Sequence, residues 1–302
     1  MKNSFIILLS IISFCALAQT RQNINKNTGT VSNVLTTIDS IRFNGSSTTM
    51  EVVLQNGTIE SHSISDIQNV NFASAEHSCG ADSVHNPNLN YGTMTDQEGN
   101  VYKTIVIGSQ EWMAENLKTS IYRNGDTIAN LSEIEWISNS STQIGAWAFY
   151  NNDIQYECPY GKLYNWYVVA DPRHVCPAGW HVPTDLEWNE LIGYIDPSYI
   201  PDVLNGIQSS IAGGKMKTMS SQYWTSPNNS ATNESGFSGL SSGNRGSETA
   251  SFDNIGSVGI WWSFSESGVY FAWKRLLNFN SGASYRSPGD KDNGFSVRCL
   301  KD

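Results

Sequence analysis

The chain has 302 residues, a formal net charge of −10, and 15% charged against 39% hydrophobic side chains. The acidic balance repels phosphate backbones and excludes nucleic acid as a partner; low charge with abundant Trp and Tyr excludes a disordered composition. Beyond the N-terminus no stretch approaches the roughly 18 unbroken apolar residues of a membrane span.

Residues 1–18 have the form of a secretory signal for the Sec pathway. Lys2 supplies the positive end, Phe5 to Phe14 the apolar run, and Ala16-Leu17-Ala18 the cleavage site. Removing them takes Lys2 away and moves the charge from −10 to −11. Phe14 stands where a lipobox wants a small residue, so Cys15 is not expected to carry a lipid. The mature protein is expected to be secreted or at the cell surface. Four cysteines remain: Cys79, Cys158, Cys176 and Cys299. An even count in an oxidising compartment suggests disulfides, with three connectivities open. Zinc is disfavoured because there is no C-x-x-C pair.

Residues 19–33 are polar and aperiodic and are expected to be a flexible lead. Over 34–73 the pattern is that of strands. Ile38 to Phe43 is echoed by Ile67 to Phe72, and Met50 to Leu54 meets an Asn56-Gly57 hairpin signal. So small a β module needs a neighbour to cover its apolar face. It resembles short β modules at the front of exported proteins of Bacteroidetes-type bacteria, which implies attachment or spacing. Residues 74–92, with Gly80, Pro87 and several Asn, are expected to be a linker.

All ten tryptophans fall between Trp112 and Trp273, which marks a separate large domain over 93–302. Val101 to Ile107 alternates as a strand, and Tyr160 to Ala170 is expected to be a first helix. The second helix carries the strongest signal in the chain. Thr184 and Glu187 have capping-box spacing, Asp185 and Glu187 suit the helix dipole, and Trp188, Leu191, Ile192 and Ile195 share one face. A long Ser/Gly/Asn-rich stretch from 197 to 254 is expected to be loop, and loops of that length are often functional. Strands over Gly259–Ser265, Gly268–Leu277 and Gly294–Leu300 close an α+β domain.

Several motifs then line up in order. They are Asp96-x-Glu98-Gly99-Asn100-x-Tyr102, Ile107-Gly108-x-Gln110-x-Trp112-Met113-x-Glu115-Asn116-Leu117 and Gly161-x-Leu163-Tyr164-Asn165-Trp166. Cys176-Pro177-x-Gly179-Trp180-His181-x-Pro183-x-x-x-Glu187-Trp188 follows. Gly236-Phe237, Trp262-Ser263-x-Ser265-Glu266 and Gly294-Phe295-x-Val297-Arg298-Cys299 complete the set. Together they resemble the Fibrobacter succinogenes major paralogous domain family (FISUMP) over roughly 93–302. That family is similar in fold to C-type-lectin-like and formylglycine-generating-enzyme-like domains, and the resemblance carries no established molecular function. It implies two helices packed on antiparallel strands with long loops, with the terminal strands brought together. It also implies a Cys176–Cys299 disulfide. Cys79 and Cys158 are then the remaining pair, with a free thiol or an interchain bond at Cys79 as alternatives.

Each chemical motif has a plain structural alternative. Gly239-Leu240-Ser241-Ser242-Gly243 fits the G-x-S-x-G pattern but lies in a Gly/Ser-rich stretch, without the strand-to-helix context of a nucleophile elbow. His181, beside Trp180, is expected to be a hydrogen-bonded structural residue. Asp290 and Asp292 space oxygen ligands as a calcium loop would, with Asp253 and Glu266 as further candidates, yet the EF-hand pattern and sugar-lectin signatures are missing. Calcium is the one cofactor considered, and a turn is the structural alternative. Trp224, with Tyr223 beside it, is the candidate platform for a sugar ring and is expected to be dispensable for folding, although burial is tryptophan's general tendency.

Three functional classes remain. The leading expectation is an exported, non-catalytic module that binds polysaccharide or a surface protein through the 197–254 and 280–293 loops. The second is an architectural protein without a ligand. The third is a formylglycine-generating type of modifying enzyme, which needs a free thiol at Cys158 or Cys299.

Overall fold

The computed structural model describes residues 20–26, 29–34, 38–43, 49–54, 58–74 and 84–302. The chain divides into one unit up to His77 and another from Ser78.

In the first unit the described strands are β1 (Thr20–Lys26), β2 (Gly29–Val34), β3 (Ile38–Phe43), β4 (Thr49–Leu54), β5 (Ile59–Ser63) and β6 (Ile67–Ser74). They form two sheets, ordered β2-β1-β6 and β3-β4-β5. β4 and β5 pair as a hairpin with Val53 opposite Ile59; its turn, Asn56-Gly57, lies outside the described residues. The flexible lead expected over 19–33 is corrected, because β1 and β2 occupy most of it. Their ladder sets Ile24 opposite Val31 on one side and Val70 on the other. Backbone pairing orders a segment whose polar side chains gave no periodic signal.

The second unit begins with β7 (Gly92–Thr95), β8 (Val101–Ile107), β9 (Gln110–Met113) and helix α1 (Glu133–Thr142). Next come β10 (Trp147–Ala148), α2 (Glu157–Tyr160), β11 (Leu163–Tyr164), α3 (Trp166–Val169), β12 (Trp180–His181) and α4 (Asp185–Ile195). β13 (Gly206–Ser209), α5 (Ala212–Met216), β14 (Ser242–Arg245) and β15 (Phe252–Ile255) follow. The chain closes with β16 (Val258–Glu266), β17 (Phe271–Asn278), β18 (Ser284–Asp290) and β19 (Leu300–Lys301). One sheet runs β12-β19-β9-β8-β7 and a second β13-β18-β17-β16, so the architecture is α+β, dominated by sheet with few and short helices.

Strand alternation sorts the core. Successive side chains on a strand point to opposite faces, so neighbouring large residues are sent to different clusters. Trp262, Met113, Tyr102 and Cys299 enter one apolar cluster, while Trp261, Trp112, Ile105 and Leu300 enter another. Helix α4 caps as its sequence demands. Thr184 Oγ1 accepts from Glu187 N, the Glu187 carboxylate accepts from Thr184 N, and Trp188, Leu191, Ile192 and Ile195 are buried. Asp185 does more than meet the dipole: Arg275 and Arg286 both donate to its carboxylate, at 2.8 and 2.7 Å.

Three expectations are corrected. The helix expected from Tyr160 to Ala170 is a single turn, α3, after a break. Gly161 sits at φ +74°, where an added Cβ would lie 2.8 Å from the Leu117 carbonyl oxygen, and Asn165 starts the turn anew by accepting from Val168 N. Residues 284–290, expected to be loop, are strand β18, held by β17 along its length and by β13 over Ser284–Arg286. Within the linker expected over 74–92, Val84 and His85 are buried and Leu89 and Tyr91 pack on the second cluster, so 84–91 belongs to the domain. Helix α1 lies where no helix is expected, although Ser132 and Glu135 close a capping box of the same kind as that of α4.

Candidate ligand-binding site

The sequence motifs meet in the interior, around Arg298. This guanidinium is fully buried and donates to Asn116 Oδ1 at 2.9 Å, to Ser238 O at 3.0 Å, and to the carbonyls of Phe237 and Met113. Asn116 Oδ1 also accepts from Trp261 Nε1 at 2.8 Å, and the Phe237 ring lies 4.1 Å from the guanidinium carbon. Burial pulls the Arg298 pKa down to about 9, against the opposing field of Glu115, so the group remains a cation at neutral pH. Asp96 and Tyr102 make a smaller knot, with the tyrosine hydroxyl donating to Asp96 Oδ2 at 2.6 Å.

His85 is buried with its ring 5.0 Å from Tyr91, and neither ring nitrogen has a partner among the described residues. Burial, then Lys103 and Arg298, push its pKa down to about 3. The unfolded histidine titrates near 6.5, so the folded state binds fewer protons between those values. Stability from this group is complete above pH 6.5 and is lost as pH falls towards 3. By pH 4 wild type should lose about 3 kcal/mol more than His85→Phe, relative to pH 7. Urea denaturation of both proteins at the two pH values checks this, and parallel losses would contradict it.

The candidate residues named from the sequence do not assemble into one place. Cys176 and Cys299 form the disulfide, with Cα atoms 5.9 Å apart. Cys158 is half-buried and Cys79 lies outside the described residues. The role proposed for Trp224 and Tyr223 is corrected. Trp224 is 1% exposed and donates from Nε1 to Gly239 O at 3.0 Å, and Tyr223 is buried beside Tyr160. Both are core side chains, with no open ring face for a sugar, so Trp224 is not dispensable for folding.

Asp290 and Asp292 do lie together, and burial, then Asp290, raises the Asp292 pKa. The two further candidates are engaged elsewhere: Glu266 accepts from Lys291 at 2.7 Å and Asp253 from Ser251 at 2.8 Å. Among the described residues no group of three or more His, Cys, Asp and Glu could hold a metal ion. Ser241 of the G-x-S-x-G run is buried, with its hydroxyl on Tyr223 O, and Ser242 opens strand β14. His181 has both ring nitrogens occupied, by Asp302 at 2.6 Å and Glu187 at 2.9 Å. Those carboxylates, Glu187 first, raise its pKa against the burial that lowers it. Burial opposes ionisation of Glu187, but hydrogen bonds from His181 and Thr184 bring its pKa down to about 2.

An exposed apolar and aromatic group is found instead on the β16–β17 hairpin, one of several places where large apolar side chains reach the surface. Phe264 is 45% exposed, Val269 78%, Tyr270 69% and Phe271 46%. The tip is held from beneath. Lys291 donates from Nζ to Glu266 Oε1 and to Val269 O at 2.9 Å, its backbone N–H meets Tyr270 O, and its ammonium sits 4.4 Å from the Trp166 ring centre. Trp166 Nε1 in turn donates to Ser263 O at 3.0 Å. Phe264 also lines a hollow of about 210 Å³ with Val169, Val175, Cys176 and Val182, and His174 and His181 contribute to its wall. The sequence signal at the tip is the run Val269-Tyr270-Phe271, three apolar residues directly after Ser267-Gly268.

A model of the Fibrobacter succinogenes major domain matches residues 105–301. The chain belongs to that family. No curated protein and no solved structure shows a significant match to it. Many residues of the ordered sequence motifs lie in the interior of this chain. Trp112, Asn116, Tyr164, Trp188, Phe237, Trp262, Arg298 and Cys299 are all buried, whereas Val269, Tyr270 and Phe271, outside those motifs, are exposed. No helix among the described residues is long and apolar enough to cross a membrane.

Proposed function

We propose that this is an exported, non-catalytic binding module, secreted or held at the cell surface, whose β16–β17 hairpin tip engages an extracellular polysaccharide or surface protein. The observation that carries the proposal is the set of exposed side chains Phe264, Val269, Tyr270 and Phe271 on one hairpin tethered by Lys291. Aromatic rings presented on a rigid support bind with little loss of conformational freedom, and their flat faces suit both sugar rings and protein side chains. Export is supported by the Ala16-Leu17-Ala18 site and by a disulfide, which persists in oxidising compartments.

The frame we propose is C-type-lectin-like. In its favour, the last strand pairs with both β9 and β12, and Cys176, ahead of α4, is bonded to Cys299, immediately before β19. The same bond occupies one of the two thiols that a formylglycine-generating activity would draw on.

A glycan array and a surface-protein binding screen, each run with and without calcium, test the function. A ligand found in either should bind at least tenfold more weakly to a Phe264→Ser/Tyr270→Ser/Phe271→Ser variant, as is usual when interface aromatics are lost. Equal binding by that variant, with its fold intact by circular dichroism, would remove the tip as the site.

A further inference from the structure

The hollow beside the hairpin tip has apolar walls, and the polar groups within it are already engaged. Val169 of α3, Val175, Cys176 of the disulfide, Val182 and Phe264 of β16 line it, around about 210 Å³. A cavity of roughly 150 Å³ is enough for a benzene ring, so one large side chain fits. Val169, Val175, Cys176 and Val182 are buried in the frame, which fixes the shape of the hollow, whereas Phe264 is exposed and belongs to the tip.

Thr184, His181 and His174 also reach the wall. Thr184 Oγ1 donates to Glu187 Oε2 and accepts from Glu187 N, and the His181 ring nitrogens are held by Asp302 and Glu187. Only His174 is open: it is exposed, and its ring makes no hydrogen bond among the described residues. A sugar hydroxyl carries a donor and two acceptor sites, and burying it unpaired costs about 1–3 kcal/mol. The hollow therefore favours a hydrocarbon group over a sugar ring.

The accessible charge at its edge is negative. His181 stands between Glu187 and Asp302, and Arg173, next to His174, stands between Asp126 and Asp171. Arg275 and Arg286 are buried on Asp185, and Arg123 is turned onto the carbonyls of Cys176, Pro177 and Trp180. Four carboxylates thus surround Arg173 and His181 in a chain whose net charge is −10.

We propose that the hollow is the anchor pocket of the binding surface and takes a bulky apolar side chain of a protein partner, from a segment with Lys or Arg beside that side chain. The inference rests on the hairpin-tip reading and narrows its ligand from polysaccharide or protein to protein. Side chains that fill preformed, desolvated pockets dominate protein interfaces, and opposite charge around the pocket steers the encounter. His174, at the mouth, can bond a backbone amide of the same segment.

The test is NMR of the valine methyl groups in the disulfide-intact chain, titrated with phenethylamine, phenylacetate and methyl glucoside. Phenethylamine, an apolar ring with one positive charge, should shift the methyls of Val169, Val175 and Val182 and bind several-fold more tightly than anionic phenylacetate. Methyl glucoside should shift none of them. Phe264→Ala, a change at an exposed side chain, should weaken phenethylamine several-fold, while Val269→Ser/Tyr270→Ser should leave its binding unchanged. Valine methyls indifferent to phenethylamine, equally shifted by the glucoside, or better bound by phenylacetate would overturn the proposal. A protein partner separates it from the tip reading. Val182→Phe, which fills the hollow, should weaken that partner about tenfold with circular dichroism unchanged. Partner binding lost in Val269→Ser/Tyr270→Ser but kept in Val182→Phe would leave the tip as the site and remove the pocket.

Discussion

Replacing Arg298 by methionine is expected to lower stability by about 4–6 kcal/mol, because several buried acceptors lose their donors at once. The Asn116 side chain would keep Trp261, but the carbonyls of Phe237, Ser238 and Met113 would each lose their Arg298 hydrogen bond. Methionine fills much of the volume, so the loss reports hydrogen bonding more than a cavity. A domain of ordinary stability has about 5–15 kcal/mol in total, so the variant should lie close to unfolding at 25 °C. Arg298→Lys should rescue little, since one ammonium cannot reach acceptors spread around a planar fork. Urea denaturation followed by tryptophan fluorescence measures both losses, and a loss below about 1 kcal/mol in the methionine variant would contradict this reading.

Removing the disulfide with Cys176→Ala/Cys299→Ala is expected to cost a similar amount through a different route. The bond joins residues 123 apart in sequence. Releasing a loop of that length restores unfolded-chain entropy worth about 4–5 kcal/mol in the loop-closure model. Both sulfurs also sit in the cluster with Trp180, Trp262 and Phe295, so truncation removes packing as well. The entropic part has a signature that Arg298→Met lacks, because reducing the wild-type bond without any substitution should reproduce most of the loss. Reduced wild type as stable as the oxidised protein would show that the tie contributes nothing.

The parts of the fold legible in the sequence were those set by short-range rules. Helix α4 could be read because its cap, first-turn acids and apolar face all lie within Thr184 to Ile195. Helix α1 has the same cap at Ser132 and Glu135, but only Trp136 and Asn139 are buried on it, so its periodic signal was faint. The break at Gly161 depends on the approach of Asn116 and Leu117, more than forty positions away in the chain. Trp224 is another such case, for its indole is buried by a hydrogen bond to Gly239 that no local pattern announces. The strand character of Ser284–Asp290, in a run containing Pro288 and Gly289, comes from pairing with β17 and β13.

The candidate site was less legible than the fold. Motif residues attract a functional reading, yet here they form the Arg298 hub, the disulfide and the caps of the frame. Val269, Tyr270 and Phe271 follow no motif, and what distinguishes them is the tether from Lys291, a contact between β17's turn and the residue after β18.

That the buried motif residues build the frame while the exposed tip carries no folding load is tested most directly by urea midpoints measured side by side. Arg298→Met and the Phe264→Ser/Tyr270→Ser/Phe271→Ser variant are compared with wild type, all with the disulfide intact. The account predicts a midpoint several-fold closer to zero urea for Arg298→Met, and a midpoint near wild type for the tip variant, whose side chains are exposed. A wild-type midpoint for Arg298→Met, or a collapse of the tip variant, would contradict it.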